Sequence, residues 1–220
     1  MKLFFTLCLL EVLFFSTSFA QSKFGIETNG VAAFPQSDFG DFYKIGTGGS
    51  ISFFYNSSER LSFALTSGYL NFNFDNEKFN SNVKSVYPDA QNVDFNIGFK
   101  TIPLLLETRF YLSDNDIKPF FSVDIGLHFL NFSLPSIVDS NAAQITTISK
   151  SEVKIGVGIG AGILLPLNEF IKLEFAAKYN SINEQTQQSA TYVSQYTVTI
   201  NSSNTPVTFY TISAGILIQL

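Results

Sequence analysis

The sequence predicts an all-β fold, an eight-stranded antiparallel transmembrane β-barrel with short turns at one end and long loops at the other. Three observations predict it. Apolar and polar residues alternate with a period of two in segment after segment, the pattern of strands whose two faces meet different surroundings. The connections between these segments alternate between long and short. The composition is rich in Phe (25) and Tyr (9) and holds one Met, which favours a pleated surface over helices.

Residues 1–20 read as a secretory signal peptide. Lys2 supplies the positive start and residues 3–15 an apolar run, in which Glu11 is the one charge. Ser18-Phe19-Ala20 places small residues where a signal peptidase cuts, so residues 21–220 are expected to form the barrel domain. Cys8, the only cysteine, falls in the segment to be removed, which leaves no disulfide, thiolate metal site or cysteine nucleophile.

The strands follow in order. In the first, Phe24, Ile26 and Ala32 oppose Gly25, Glu27 and Asn29. In the second, Ile51, Phe53 and Tyr55 oppose Ser50 and Ser52, and in the third Leu61, Phe63 and Leu65 oppose Ser62, Ala64 and Thr66. In the fourth, Asn96, Gly98 and Lys100 share a polar parity that Glu107 and Arg109 join only after a slip of one residue. A β-bulge is therefore expected between Thr101 and Leu104, at Pro103.

The fifth strand sets Phe121, Val123, Ile125, Leu127 and Phe129 against Ser122, Asp124, Gly126 and His128. The sixth sets Val153, Ile155, Val157 and Ile159 against Glu152, Lys154, Gly156, Gly158, Gly160 and Gly162. The seventh sets Ile171, Leu173, Phe175, Ala177 and Tyr179 against Lys172, Glu174, Ala176 and Lys178. The eighth sets Tyr210, Ile212, Ala214, Ile216, Ile218 and Leu220 against Thr211, Ser213, Gly215 and Gln219. The connections 35–48, 75–92, 133–151 and 180–206 are long; 56–60, 113–118 and 166–169 are short. Alternation resumes at 191–200, so the last two strands are expected to run on beyond the bilayer. An exported chain starts in the periplasm, which assigns the short turns there and the long loops outside.

Which face is the core decides between a soluble and a membrane barrel. The apolar faces are large, branched and nearly free of charge, as lipid contact requires, since a mid-depth Lys or Arg costs ~2–4 kcal/mol. The opposite faces are expected to line the lumen. They supply a charge network of Glu27, Lys100, Glu107, Arg109, Asp124, Lys172, Glu174 and Lys178, and a glycine stripe of Gly156, Gly158, Gly160 and Gly162 that makes room for long neighbours such as Arg109 or Lys172. Phe34, Tyr55, Tyr111, Phe121, Tyr179 and Tyr210 are expected at the membrane interfaces.

Other chemistry finds little support. A net charge of −5 with no basic run argues against nucleic acid. One histidine and no mature cysteine leave no metal set, and neither a cofactor nor a catalytic group is expected. His128 shares a face with Asp124 and Ser122, but these lie four and six residues along one strand, on the order of 13 and 20 Å away. That is far beyond hydrogen-bond reach.

Three segments carry a resemblance: Ser18-Phe19-Ala20-Gln21, Thr101-Ile102-Pro103-Leu104-Leu105-Leu106-Glu107, and Lys118-Pro119-Phe120-Phe121-Ser122-Val123-Asp124-Ile125-Gly126. With the alternation that ends at Leu220, the mature chain resembles the small porin-T-like outer-membrane β-barrels of the Bacteroidetes. The terminal segment is similar to the signal read by the barrel assembly machinery. The resemblance implies a bacterial outer-membrane location, with lipid and that machinery as partners. A structural or surface-recognition role is expected, with an unidentified extracellular ligand or envelope partner. A narrow channel, a secretion-system accessory barrel and a lipid-modifying enzyme built on His128 are the alternatives.

Overall fold

A computed structural model describes residues 23–86, 88–89, 92, 94–137, 145–194 and 197–220. Residues 1–20, expected to be a signal peptide, lie outside the described residues. Among those described, the chain forms β1 (Phe24–Gln36), β2 (Gly46–Ser58), β3 (Leu61–Asn73), β4 (Gly98–Tyr111), β5 (Lys118–Ile137), β6 (Ile145–Pro166), β7 (Ile171–Ser194) and β8 (Thr197–Gln219). Each strand pairs antiparallel with its neighbour in sequence. β8 then closes on β1, from Gly25↔Gln219 to Gln36↔Thr208. Closure removes the sheet edge around the common wall, which hydrocarbon requires because it offers no partner to a free amide.

The wall is inside out relative to a soluble protein. Ile155, Val157 and Ile159 are 51, 50 and 61% exposed, while Glu174 and Arg109 are each 1% exposed. The same outward band takes in Ile51, Phe63, Leu106, Ile125, Ile212 and Ile218. A water-soluble monomer rarely exposes a contiguous apolar patch beyond a few hundred Å². An apolar belt around the whole barrel is a lipid-facing surface. Phe24 stacks outside on Phe53 near the short-turn end, and Tyr179 meets Tyr210 further up the wall.

β4 departs from expectation. Its inward residues run without interruption through Phe99, Thr101, Pro103, Leu105, Glu107, Arg109 and Tyr111, and its pairing with β5 keeps one register throughout. The expected bulge is absent. Lys100 consequently faces outward and is exposed, paired with Asn71 and Asn131. The physical reason is that the lumen is not polar along its whole length, so polarity does not report which side of this strand is inside. Pro103 leaves a milder mark. The pairings of Gly68 and Tyr69 with Pro103 and Ile102 are missing from the β3–β4 ladder, because a proline nitrogen has no hydrogen to donate.

The long connections are partly built structure. The first holds α1 (Ser37–Phe42) and the second α2 (Asn76–Val86). The third, expected as a loop over 133–151, is mostly hairpin, since β5 and β6 pair as far as Ile137↔Ile145. β7 and β8 continue to Ser194↔Thr197, with register shifts between Ile182 and Gln185 and between Tyr192 and Ser194. These two hairpins run to 20–24 residues per strand, against 13 or 14 in β1 to β4, and a crossing needs only ~9–11.

The lumen is layered. At the short-turn end lies an apolar layer of Phe54, Ala64, Tyr111, Phe120, Leu164, Ala176 and Leu217. Tyr111 belongs to this layer and not to an interface girdle, because it shares the inward parity of Arg109. At the long-loop end a second apolar layer contains Leu70, Phe72, Phe99, Leu130, Phe132 and Phe209. α1 drops Phe39 into it, 1% exposed and edge-on to Phe72 and Phe99. The charged belt lies between the two.

Candidate functional site

The belt is organised by Arg109. Its Nε donates to Glu107 Oε1 at 2.5 Å, its Nη1 to Glu27 Oε2 at 2.9 Å, and its Nη2 to Glu27 Oε1 at 3.1 Å. Nη1 also donates to Glu174 Oε2, and Nη2 to Glu174 Oε1 at 3.3 Å. One guanidinium thus joins carboxylates from β1, β4 and β7, a use of its forked donors that Lys cannot reproduce. Lys178 from β7 donates to Glu107 Oε2 at 2.6 Å and to Asp124 Oδ2 on β5 at 3.3 Å. Asn29 donates to Glu27 Oε1 at 2.6 Å. Six of the eight charged residues expected in the lumen therefore form one contiguous cluster. Lys100 is outside the barrel, and Lys172 sits apart at the short-turn mouth.

Two aromatic rings hold the guanidinium. Its carbon lies 4.3 Å from the Phe54 centroid and 4.6 Å from that of Phe120, which covers the cation with apolar faces and adds a cation–π attraction. Sequence reading missed both rings. Each belongs to a Phe–Phe pair, Phe53-Phe54 and Phe120-Phe121, so the alternation is locally silent. The usable signal was parity, because Phe54 falls in step with Ser52, and Phe120 with Ser122 and Asp124.

The glycine stripe of β6 gives these groups their space. Gly158 is paired with Asp124, and an added Cβ there would meet the Asp124 carboxylate. At Gly160 it would meet Lys178 Cγ, at Gly162 the Phe120 ring, and at Gly156 the His128 ring at 2.6 Å. The side chains nearest the stripe are thus those of Asp124, Lys178, Phe120 and His128, and not the expected Arg109 or Lys172, which project from β4 and from the far end of β7.

Just above the belt a cavity of about 80 Å³ separates the charges from the upper apolar layer. Glu107, Asp124, His128, Lys178 and Asn180 line it, and it has room for a few water molecules. His128 is 4% exposed, and its Nδ1 lies 3.2 Å from Thr101 Oγ1. Its ring faces the lumen and not the lipid. Among the described residues no group of three or more His, Cys, Asp or Glu is arranged to hold a metal ion.

No family model and no curated relative matches this chain. Solved structures do. Neisserial surface protein A matches with a TM-score of 0.56 at 17% identity, covering 92% of this chain and 100% of that one. The chain has the fold of a small eight-stranded outer-membrane barrel. A major outer membrane protein from Thermus thermophilus matches with a TM-score of 0.55 at 13% identity, covering 89% of this chain and 98% of that one.

Further contacts hold the two ends of the barrel. At the long-loop end Phe74, Phe79 and Phe95 pack α2 onto the strand end, and Asn76 ties the segment to Phe95 and Asp94. Tyr43 is packed against Phe39, Phe74 and Phe99, and burial pushes its phenol up to about 12. At the short-turn end Arg60 and Asp114 make a doubly bonded ion pair at 2.6 and 2.8 Å. The hydrogen bond holds the Asp114 carboxyl below its ordinary value and raises the Arg60 guanidinium.

Proposed function

We propose that this protein is a bacterial outer-membrane barrel that acts through the surface built at its long-loop end, which faces the outside of the cell, and not through a pore. The single observation that carries the reading is the occupied lumen. An eight-stranded barrel is just wide enough for side chains to fill, and here Arg109 binds three carboxylates between two apolar layers. On the outer side of the membrane, what the barrel offers a partner is this platform. It is a folded one, with α1 plugged in by Phe39 and α2 held on an aromatic cluster. Loops carried on a rigid scaffold are the usual bearers of recognition. The finer resemblance, to porin-T-like barrels of the Bacteroidetes, is proposed on the segments around Pro103 and Pro119 quoted above. The reading assigns no reaction to the barrel.

The test pairs conductance with loop exchange. The refolded protein in a planar bilayer should stay silent at high salt, and steady single-channel steps would sink the reading in favour of a narrow channel. Replacing residues 76–94 or 180–206 with short Gly-Ser turns should leave a folded barrel. It should abolish adhesion of expressing cells to whatever surface the wild type recognises.

A further inference from the structure

At the short-turn mouth a cavity of about 230 Å³ opens below the lower apolar layer. Its floor is made by Tyr111, Leu164 and Leu217, and Lys23, Lys118 and Lys172 stand around it with Glu59. Elsewhere this acidic chain matches its buried cations with carboxylates: Arg109 has three and Lys178 two. Even exposed Arg60, next to the mouth, is paired with Asp114. Among the described residues no ion pair includes Lys23, Lys118 or Lys172. Lys172 is half-buried; Lys118 repels it and Asp116 attracts it. The Lys118 ammonium lies 5.6 Å from the Tyr111 ring centroid, directly above the apolar floor. Two like charges are thus held over an oily surface in a recess open to water.

We propose that this mouth binds a small organic anion, with its carboxylate or phosphate between Lys118 and Lys172 and its short apolar body on Tyr111, Leu164 and Leu217. The anion relieves a repulsion that the protein leaves in place. The floor supplies what the charges lack, because an exposed ion pair alone gains little against water. The size sets the ligand. The recess exceeds the ~150 Å³ that accepts benzene and falls below the roughly 300–1,000 Å³ of drug-sized sites, so an anion of a few carbons fits. In the orientation proposed above, the site draws its ligand from the periplasm. The binding chemistry itself does not depend on the role of the outer loops.

The experiment titrates the refolded full chain in nanodiscs of zwitterionic lipid with butyl phosphate, butyrate, inorganic phosphate and 1-butanol, following backbone amides by NMR. Saturable shifts at Lys118, Lys172 and Gln219 are expected for butyl phosphate or butyrate, and whichever binds tighter names the head group. Inorganic phosphate should bind about tenfold more weakly, a difference of the size an apolar contact supplies. Butanol should not saturate. K118Q/K172Q should lose about tenfold or more in affinity while K118R/K172R keeps it. No saturation with either organic anion, an equal response to butanol or to inorganic phosphate, or full binding by folded K118Q/K172Q would each overturn the proposal. Should the glutamine pair fail to fold, the comparison of the four probes on the wild type decides alone.

Discussion

The carboxylate of Asp124 occupies the space that a side chain on Gly158 would need; the two residues face each other across the β5–β6 pair. The belt and the stripe are therefore one construction, in which β5 and β7 send in long charged groups and β6 yields.

Gly158→Val is expected to destabilise the barrel. The larger residue must push the Asp124 carboxylate off Lys178, because a Cβ at this position already meets it. Overpacking of this kind costs roughly 1–3 kcal/mol. The urea midpoint of protein refolded into vesicles checks it, with Val157→Ile, on the lipid face, as the control expected to be near neutral. An unchanged Gly158→Val midpoint would show that the Asp124 side chain can relocate freely.

Arg109→Met should be far worse than its size suggests. It leaves Glu27, Glu107 and Glu174 buried at 0, 2 and 1% exposure, with Lys178 as their one nearby cation. Removing one partner of a buried ion cluster costs about 3–5 kcal/mol, mostly from the charges left behind. The triple variant Arg109→Met with Glu27→Gln and Glu174→Gln should recover a large part of that loss. Chemical unfolding of the single and triple variants gives the comparison. A triple variant less stable than the single one would mean that the cluster is net stabilising as built.

The fold was legible because lipid on one side and a packed lumen on the other impose a strict two-residue period. Asp124, Glu174 and Lys178 could be placed inside from parity alone, whereas Glu107 and Arg109 were placed inside through a bulge at Pro103 that the strand does not have. Lys100 was misplaced by the same logic, because the lumen turns apolar above the belt. There Phe99, Thr101 and Pro103 face in, and the polar parity of β4 at that height is the outer one. Tyr111 was misassigned for the converse reason: an aromatic near a strand end can belong to the lower lumen layer as readily as to a girdle. No periodicity reports which three carboxylates one arginine will gather, since Glu27 and Arg109 are 82 residues apart and meet only on closure. The third long loop was illegible as a hairpin, because its pairing outlasts the alternation on which the reading depended.

Acid should reveal the contribution of the Arg60–Asp114 pair. The folded carboxyl of Asp114 sits below its ordinary 3.8, first through the hydrogen bond from Arg60. A depressed folded value means that the stabilisation is present above the unfolded value and lost as pH falls through the folded one. The stability gap between wild type and Asp114→Asn should accordingly be constant at neutral pH and close as the pH falls from the ordinary carboxylate range through the lowered folded value. Because both groups are in water, the gap should be small and should shrink with added salt. Urea midpoints across the pH series test this, and a gap that persists in acid would show that the bond does not depend on charge.

Phe39→Ala should loosen the outer platform without opening the belt. Phe39 seals the upper apolar layer, touching Phe72 and Phe99 edge-on at 5.1 and 5.0 Å and Tyr43 at 4.7 Å between centroids. Truncating a buried Phe costs about 3–5 kcal/mol where the site cannot collapse. Here the loss falls on α1, which the barrel can release while its strands stay paired. Tyr43 reports the outcome. Its phenol, pushed up to about 12 by burial, should titrate closer to its ordinary 10.0 once its neighbour is gone. Ultraviolet titration, with Tyr43→Phe subtracted to isolate this one tyrosine, reads the shift. Heat-modified gel mobility reads whether the barrel is intact. A folded variant whose Tyr43 still ionises near 12 would show that α1 is held by contacts other than Phe39.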